Sequence, residues 1–330
     1  MARRETAKTV LIGSGYRFID LFAGIGGFHQ ALHGLGAECV FASERDAAAR
    51  KTYTKWFKDV SPRLFSDGER HFNRDIKEIT EPAGRITKSE LDERIRSAIP
   101  EFDVLCAGFP CQPFSQAGLK RGFEDERGNL FFDIEKIIHS WKPRAVFLEN
   151  VRGLLTHDGG RTIGEIEQRL TRLGYVEPCV WVVKASDHGV PQHRPRLFIV
   201  AFRNEIDRLN FVKPDKRELT LTMSEIFGGR VTKSPNGEPR DIGFTLRVGG
   251  KQSPIDDRRN WDGYWVNGKA RRLSPREGLL MQGFNDELEF PEDVSVADRM
   301  KQLGNSVAVP AVQDYAEAIF RAMKKTDLRG

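Results

Sequence analysis

Cysteine is scarce in this chain, and the four present, Cys39, Cys106, Cys111 and Cys179, show neither CxxC pairing nor the clustering of a metal site. That argues against a disulfide framework or a structural zinc, and reduced thiols stay free for nucleophilic work. Long apolar runs are missing as well. No stretch approaches the roughly 18 residues of a membrane span, and Met1-Ala2-Arg3-Arg4-Glu5 lacks the apolar segment of a signal peptide. The expectation is a cytoplasmic protein with no membrane partner. His29 and His33 have the i, i+4 spacing of a metal pair, but no third ligand stands nearby and no metal is expected. Internal repeats and low-complexity tracts are absent. Neither sign of charge dominates, since 52 basic residues face 47 acidic ones for a net +5, too small an excess to define a partner.

What is present is enough apolar residue, 39% of 330, to fill one large and one small domain. Tyr16 to Phe22 reads as a strand, Gly24-Ile25-Gly26-Gly27 as a tight turn, Phe28 to Leu35 as a helix and Glu38 to Ser43 as a second strand. Short apolar runs recur at Phe102 to Ala107, Ala145 to Leu148, Val180 to Val183 and Leu197 to Phe202, separated by helical spacings at Leu130 to Ser140 and Ile163 to Leu173. This alternation predicts an α/β fold, a mostly parallel Rossmann-like sheet flanked by helices. Past Asn204, proline and glycine interrupt every periodic pattern until about Arg272, which predicts a small loop-rich domain. Its aromatics Trp261, Tyr264 and Trp265 are either that domain's core, the favoured reading, or a nucleic-acid surface. From Pro310 to Met323 a helical spacing returns (Val312, Tyr315, Ile319, Phe320, Met323) and should pack on the large domain.

Several residues carry candidate chemistry. Cys111 follows the run ending at Ala107 on a Pro-stiffened turn, Gly108-Phe109-Pro110-Cys111-Gln112, where a strand of a parallel sheet should end. Ligands bind in the crevice outside such strand ends, which makes Cys111 the nucleophile candidate. Glu149 ends the run Ala145-Val146-Phe147-Leu148 in the same way, and a partly desolvated carboxyl there suits proton delivery to a ring nitrogen; the bland reading is a helix cap. The turn at Gly24 and Gly26 lacks the third glycine of GxGxxG, His29 standing in its place, which disfavours a pyrophosphate. With Glu44 18 residues beyond Gly26 as a ribose ligand, it fits an adenosine compound such as S-adenosylmethionine. Arg194 and Arg196, two apart, fall on one side of an extended chain, and their guanidinium forks suit phosphate and base carbonyl oxygens.

Taken together these residues resemble the DNA cytosine-5 methyltransferases, over nearly the whole length and in that family's usual order. The match runs through Asp20-Leu21-Phe22-Ala23-Gly24-Ile25-Gly26-Gly27, Asp75-Ile76, Gly108-Phe109-Pro110-Cys111-Gln112-Pro113-Phe114-Ser115, Arg127-Gly128-Asn129-Leu130-Phe131-Phe132, Glu149-Asn150-Val151, Gln192-His193-Arg194-Pro195-Arg196, Arg272-Leu273-Ser274-Pro275-Arg276-Glu277 and Gly304-Asn305-Ser306. Arg45 departs from it, at a position where an apolar residue often packs on adenine, and so does Arg74, where glycine is frequent.

The resemblance implies a catalytic domain of residues 1–203 plus 304–330, a target-recognition domain of 204–271 and a hinge segment of 272–303. It implies catalytic roles for Cys111, Glu149, Arg194 and Arg196. S-adenosyl-L-methionine, leaving as S-adenosyl-L-homocysteine, would be bound by Phe22, Gly24, Gly26, Glu44, Asp75, Ile76, Pro110, Leu130 and Asn305. Double-stranded DNA with a short specific site would meet Ser115, Lys120, Arg121, Thr245, Arg247, Gly249 and Gly250, the target cytosine being flipped out of the stack. A monomer of the bacterial or phage restriction-modification type is implied, nucleoid-associated, with any cognate restriction endonuclease acting independently. The alternatives are an RNA cytosine-5 methyltransferase on the same domain and a catalytically silent DNA-binding protein.

Overall fold

A computed structural model of the chain describes residues 11–66, 68, 70–109, 130–248 and 253–328. Seven strands form the main sheet: β1 (Arg17–Leu21), β2 (Glu38–Ser43), β3 (Phe72–Asn73), β4 (Val104–Gly108), β5 (Ala145–Val151), β6 (Cys179–Lys184) and β7 (Pro195–Phe202), in the order β3-β2-β1-β4-β5-β7-β6. The β3–β2, β2–β1, β1–β4 and β4–β5 pairs are parallel, while β7 runs antiparallel between β5 and β6.

Period-two alternation divides the core. Phe18, Val104, Cys106, Phe147, Phe198 and Val200 face one side, and Ile19, Leu21, Leu105, Val146, Leu148 and Ile199 face the other. Both sides are covered, so the strands read as near-continuous apolar runs, as parallel strands do. Helices α1 (Gly27–Gly34) and α11 (Val309–Asp327) cover the Phe18 side. Val312, Tyr315, Ile319, Phe320 and Met323 are all fully buried there, as their helical spacing predicts. The Ile19 side is covered by α4 (Lys88–Ala98), α5 (Leu130–Trp141) and α6 (Arg161–Arg172). Between these lie α2 (Ala47–Phe57), capped by the Asp46 carboxylate on the Ala48 and Ala49 N–H groups, and α3 (Lys77–Thr80).

A second sheet follows α7 (Glu205–Asn210) and α8 (Met223–Phe227). Strands β8 (Val231–Thr232), β9 (Gly263–Val266) and β10 (Lys269–Arg272) pair antiparallel in that chain order, and the chain then returns through α9 (Pro275–Gln282) and α10 (Val296–Asn305). Trp261 and Tyr264 are buried and Trp265 partly so, the core reading of these aromatics. The ring nitrogens of His29 are taken up inside the fold, Nδ1 against the Tyr53 hydroxyl at 2.6 Å and Nε2 against the Ser61 hydroxyl at 3.0 Å.

Candidate active site

The carboxyl ends of β1, β2, β4 and β5 open on a cavity of about 480 Å³. Phe22, Gly24, Glu44, Asp75, Ile76, Leu130, Glu149, Arg194, Arg196 and Asn305, ten of the residues named from sequence, line it together. Gly26 stands apart, capping α1 from the left-handed region (φ 84°) with its Cα against the Phe57 ring. Thr245 is half-buried and Arg247 exposed, both outside the lining, and the Thr245 hydroxyl donates to the His193 carbonyl. Pro110, Cys111, Ser115, Lys120, Arg121, Gly249 and Gly250, with the stretch 116–129, lie outside the described residues.

Phe22, directly after β1, is held at φ 56°, a region where a bulky side chain is strained by about 1–3 kcal/mol. That conformation keeps an aromatic ring at the cavity wall at the point where β1 hands over to the turn. Across from it the Glu44 carboxylate accepts from the backbone N–H of Gly24 at 2.8 Å and of Asp46 at 2.6 Å. One acid thereby pins both the β1 turn and the start of α2. Burial raises its pKa, and the Asp46 and Gly24 N–H groups oppose that rise. Asp75 lies 3.9 Å from the Arg45 guanidinium, and the two side chains are at the cavity edge. An aromatic ring, two carboxylates and backbone amides in one cleft of this size fit an adenosyl ligand: ring stacking for the base, acceptors for ribose hydroxyls and an exocyclic amine.

At the other end of the cavity Glu149 is paired with the Arg196 Nε at 3.0 Å. The pairing follows from the sheet. Strand β5 continues through Glu149 to Val151, three residues past the end expected from its apolar run, because β7 lies alongside and pairs Glu149 with Phe198 and Val151 with Arg196. Glu149 is 7% exposed, and burial raises its carboxyl pKa against the opposing pull of Arg196 and Arg194. The arrangement keeps a proton within reach of a carboxyl group beside a fixed cation.

Arg194 is 2% exposed and carries a different load. Its Nη1 donates to the Leu246 carbonyl at 3.0 Å and its Nη2 to the carbonyls of Gly304, at 3.0 Å, and Ser306. Burial and the neighbouring Arg196 cation bring it down to about 9, which leaves it charged at neutral pH. Sequence reasoning missed Gln302 and Lys301, which line the cavity; Lys301 pairs with Asp46 at 2.7 Å, tying α10 to the head of α2. A lysine and a glutamine on an amphipathic helix give no sequence signal of this kind.

The fold has solved counterparts. The structure of a Spodoptera frugiperda DNMT2 mutant superimposes with a TM-score of 0.64 over 93% of this chain and 100% of that one, at 19% identity, and that of the S. pombe Dnmt2 methyltransferase with 0.62 over 94% and 99%, at 17%. The sheet and the helices that flank it thus share the Rossmann-like fold of those structures. The family model for C-5 cytosine-specific DNA methylase matches residues 16–241 and 233–321. The type II methyltransferase M.HpaII of Haemophilus parainfluenzae is 37% identical over 349 residues, 93% of this chain and 90% of that protein; M.HhaI of Haemophilus parahaemolyticus is 36% identical over 339 residues, 92% and 94% respectively. The chain belongs to the C-5 cytosine-specific DNA methylase family. Its activity is that of a DNA (cytosine-5-)-methyltransferase, and S-adenosylmethionine is the methyl donor.

Proposed function

We propose that the chain methylates one cytosine within a short duplex sequence, using Cys111, Glu149 and Arg196 on a base flipped into the cavity. Cytosine C5 is a poor nucleophile. The Cys111 thiolate adds to C6 while Glu149 supports a proton at N3, which turns the ring into an enamine nucleophilic at C5. Arg196 holds the base O2, and Arg194 stands behind it. S-adenosylmethionine, when bound, supplies the electrophilic methyl. A base then takes the C5 proton, the C5–C6 double bond re-forms and the Cys111 thiolate leaves, so the enzyme is regenerated. Phe22, Gly24, Gly26, Glu44, Asp75, Ile76, Pro110, Leu130 and Asn305 hold the donor. The observation that carries this reading is the buried Glu149–Arg196 pair at 3.0 Å, in one cavity with Phe22, Glu44 and Asp75.

Residues 204–271 act as the target-recognition domain, 272–303 as the hinge and 1–203 with 304–330 as the catalytic domain. DNA meets Thr245 and Arg247 there and, on sequence grounds, Ser115, Lys120, Arg121, Gly249 and Gly250. The names of the type II relatives support a role in restriction-modification. In this reading the chain acts as a monomer on bacterial DNA in the cytoplasm, independently of any cognate endonuclease.

The test is transfer of labelled methyl from S-adenosylmethionine to unmethylated bacterial DNA, with transfer RNA as control, followed by conversion sequencing. Label should appear as 5-methylcytosine in one sequence context, and Cys111→Ser should abolish it while S-adenosylhomocysteine still binds. Label on transfer RNA alone, or turnover by Cys111→Ser, overturns the reading.

A further inference from the structure

Leu246, one residue past Thr245, is anchored by both of its peptide groups. Its N–H donates to the Gln192 Oε1 at 3.3 Å, the Gln192 Nε2 donates to the Gln282 Oε1 at 3.2 Å, and the Gln282 Nε2 donates to the Leu303 carbonyl at 2.8 Å. The two ends of this chain are a backbone donor and a backbone acceptor, so both glutamine amides can point only one way. Gln192, Gln282 and Leu303 are fully buried and Leu246 is 1% exposed, where aligned hydrogen bonds polarise one another and a broken one has no water to replace it. Arg194 runs a second line between the same places, from the Leu246 carbonyl to those of Gly304 and Ser306. The backbones also touch. A Cβ on Gly304 would lie 2.6 to 2.8 Å from the Arg247 carbonyl group and the Val248 nitrogen, so no other residue allows this approach.

The two places joined have different duties. Segment 245–248 belongs to the stretch assigned above to reading DNA, whereas Gln302, Gly304 and Asn305 line the cavity assigned to the methyl donor. We propose that Gln282 is a positioning residue which, through Gln192 and beside Arg194, fixes the DNA-reading segment against the donor-side turn 303–306, so that cognate DNA and donor each strengthen the binding of the other. The proposal rests on the functional reading above. A shift of segment 245–248 by one hydrogen bond takes the N–H donor from the buried Gln192 Oε1 and the Leu246 acceptor from the Arg194 guanidinium, the two groups that also reach toward the donor-side turn, so the two binding events share one set of contacts. Coupling of this kind is reciprocal by thermodynamic necessity.

S-adenosylhomocysteine affinity is measured by calorimetry for the full-length enzyme alone, with a duplex carrying the site found by conversion sequencing, and with a duplex lacking it. The wild type should bind at least about five-fold tighter with the cognate duplex, and Gln282→Leu and Gln192→Ala should reduce that gain to under about two-fold. Affinity without DNA should stay near wild type in Gln192→Ala, which leaves the Gln282–Leu303 bond in place. A residue that merely stabilises the fold would weaken both measurements together. If Gln282→Leu does not fold, Gln192→Ala carries the test. Equal affinity in the wild type with and without DNA, or undiminished coupling in the variants, overturns the inference. A wild type that methylates no DNA overturns the functional reading instead.

Discussion

Two buried carboxyl groups show how burial alone does not decide a residue's role. Glu149 has the Arg196 cation beside it, which opposes the rise that burial gives its carboxyl pKa. Asp20, fully buried in β1, accepts only the His29 N–H through Oδ2 at 3.3 Å, and its Oδ1 has no hydrogen-bond partner among the described residues. Burial holds its pKa well above the ordinary carboxylate value, with Glu44 adding to the rise. The native state therefore keeps a proton that the unfolded chain releases near pH 3.9, and stability falls as pH climbs from there toward the raised native value. An asparagine in its place would be neutral throughout. Asp20→Asn should differ little from wild type near pH 4 and gain relative stability steadily above it, read by urea unfolding across pH 4 to 8; a difference that does not vary with pH would sink this account.

At the scale of elements, Arg144 stands at the head of β5 and holds three pieces together. It grips the fully buried Asp207 of α7 with two bonds at 2.6 and 2.8 Å, the Met323 carbonyl of α11 at 2.7 Å and the Asp327 carboxylate at 2.6 Å. Removing one member of a buried pair leaves an uncompensated charge, at a cost of about 3–5 kcal/mol. Arg144→Ala should lower unfolding free energy by about that much and loosen α7 and α11, visible as faster amide exchange there before the sheet opens. Unchanged exchange in both helices would refute it. The same elements mark the limits of the sequence. Apolar runs located β1, β2, β4, β5 and β7 in the body of the sheet, and also β6, although this edge strand leaves Val182 exposed. The polar pair Glu149-Asn150 masked the last rungs of β5's ladder, whose partner lies some 50 residues on, and the two-residue β3 has no pattern to show. The β9–β10 hairpin went unread although Asn267-Gly268, at φ 48° and 75°, is the two-residue turn such hairpins favour. Gln282 had no signal at all, since a buried glutamine at a helix end acquires its meaning only from partners 90 and 21 residues away.

Across the whole molecule the apolar cluster on the Phe18 face runs without a break from Phe147 and Tyr315 into Met223, Val231, Trp261 and Tyr264, so the second sheet shares its core with the first. Gly243 sits at that junction. Its N–H donates to the Pro191 carbonyl at 2.8 Å and its carbonyl accepts from the His193 N–H at 2.9 Å, joining the approach to β7 to the segment that leads into Thr245. A Cβ there would come within 2.7 Å of the Met223 Sδ and the Met281 Cε and 2.8 Å of the Tyr264 hydroxyl, one atom each from α8, α9 and β9. Two of the three are flexible methionine ends, so the crowding relaxes in part, and overpacking of this degree costs about 1–3 kcal/mol. The displaced segment is the one proposed to meet DNA, while Phe22, Glu44 and Asp75 lie just past the ends of β1, β2 and β3, which Gly243 does not touch. Gly243→Ala should therefore melt somewhat lower yet bind S-adenosylhomocysteine nearly as wild type does, with its loss concentrated in DNA affinity and methyl transfer. Parallel loss of donor binding would mean instead that the two sheets are packed too tightly for either to shift alone.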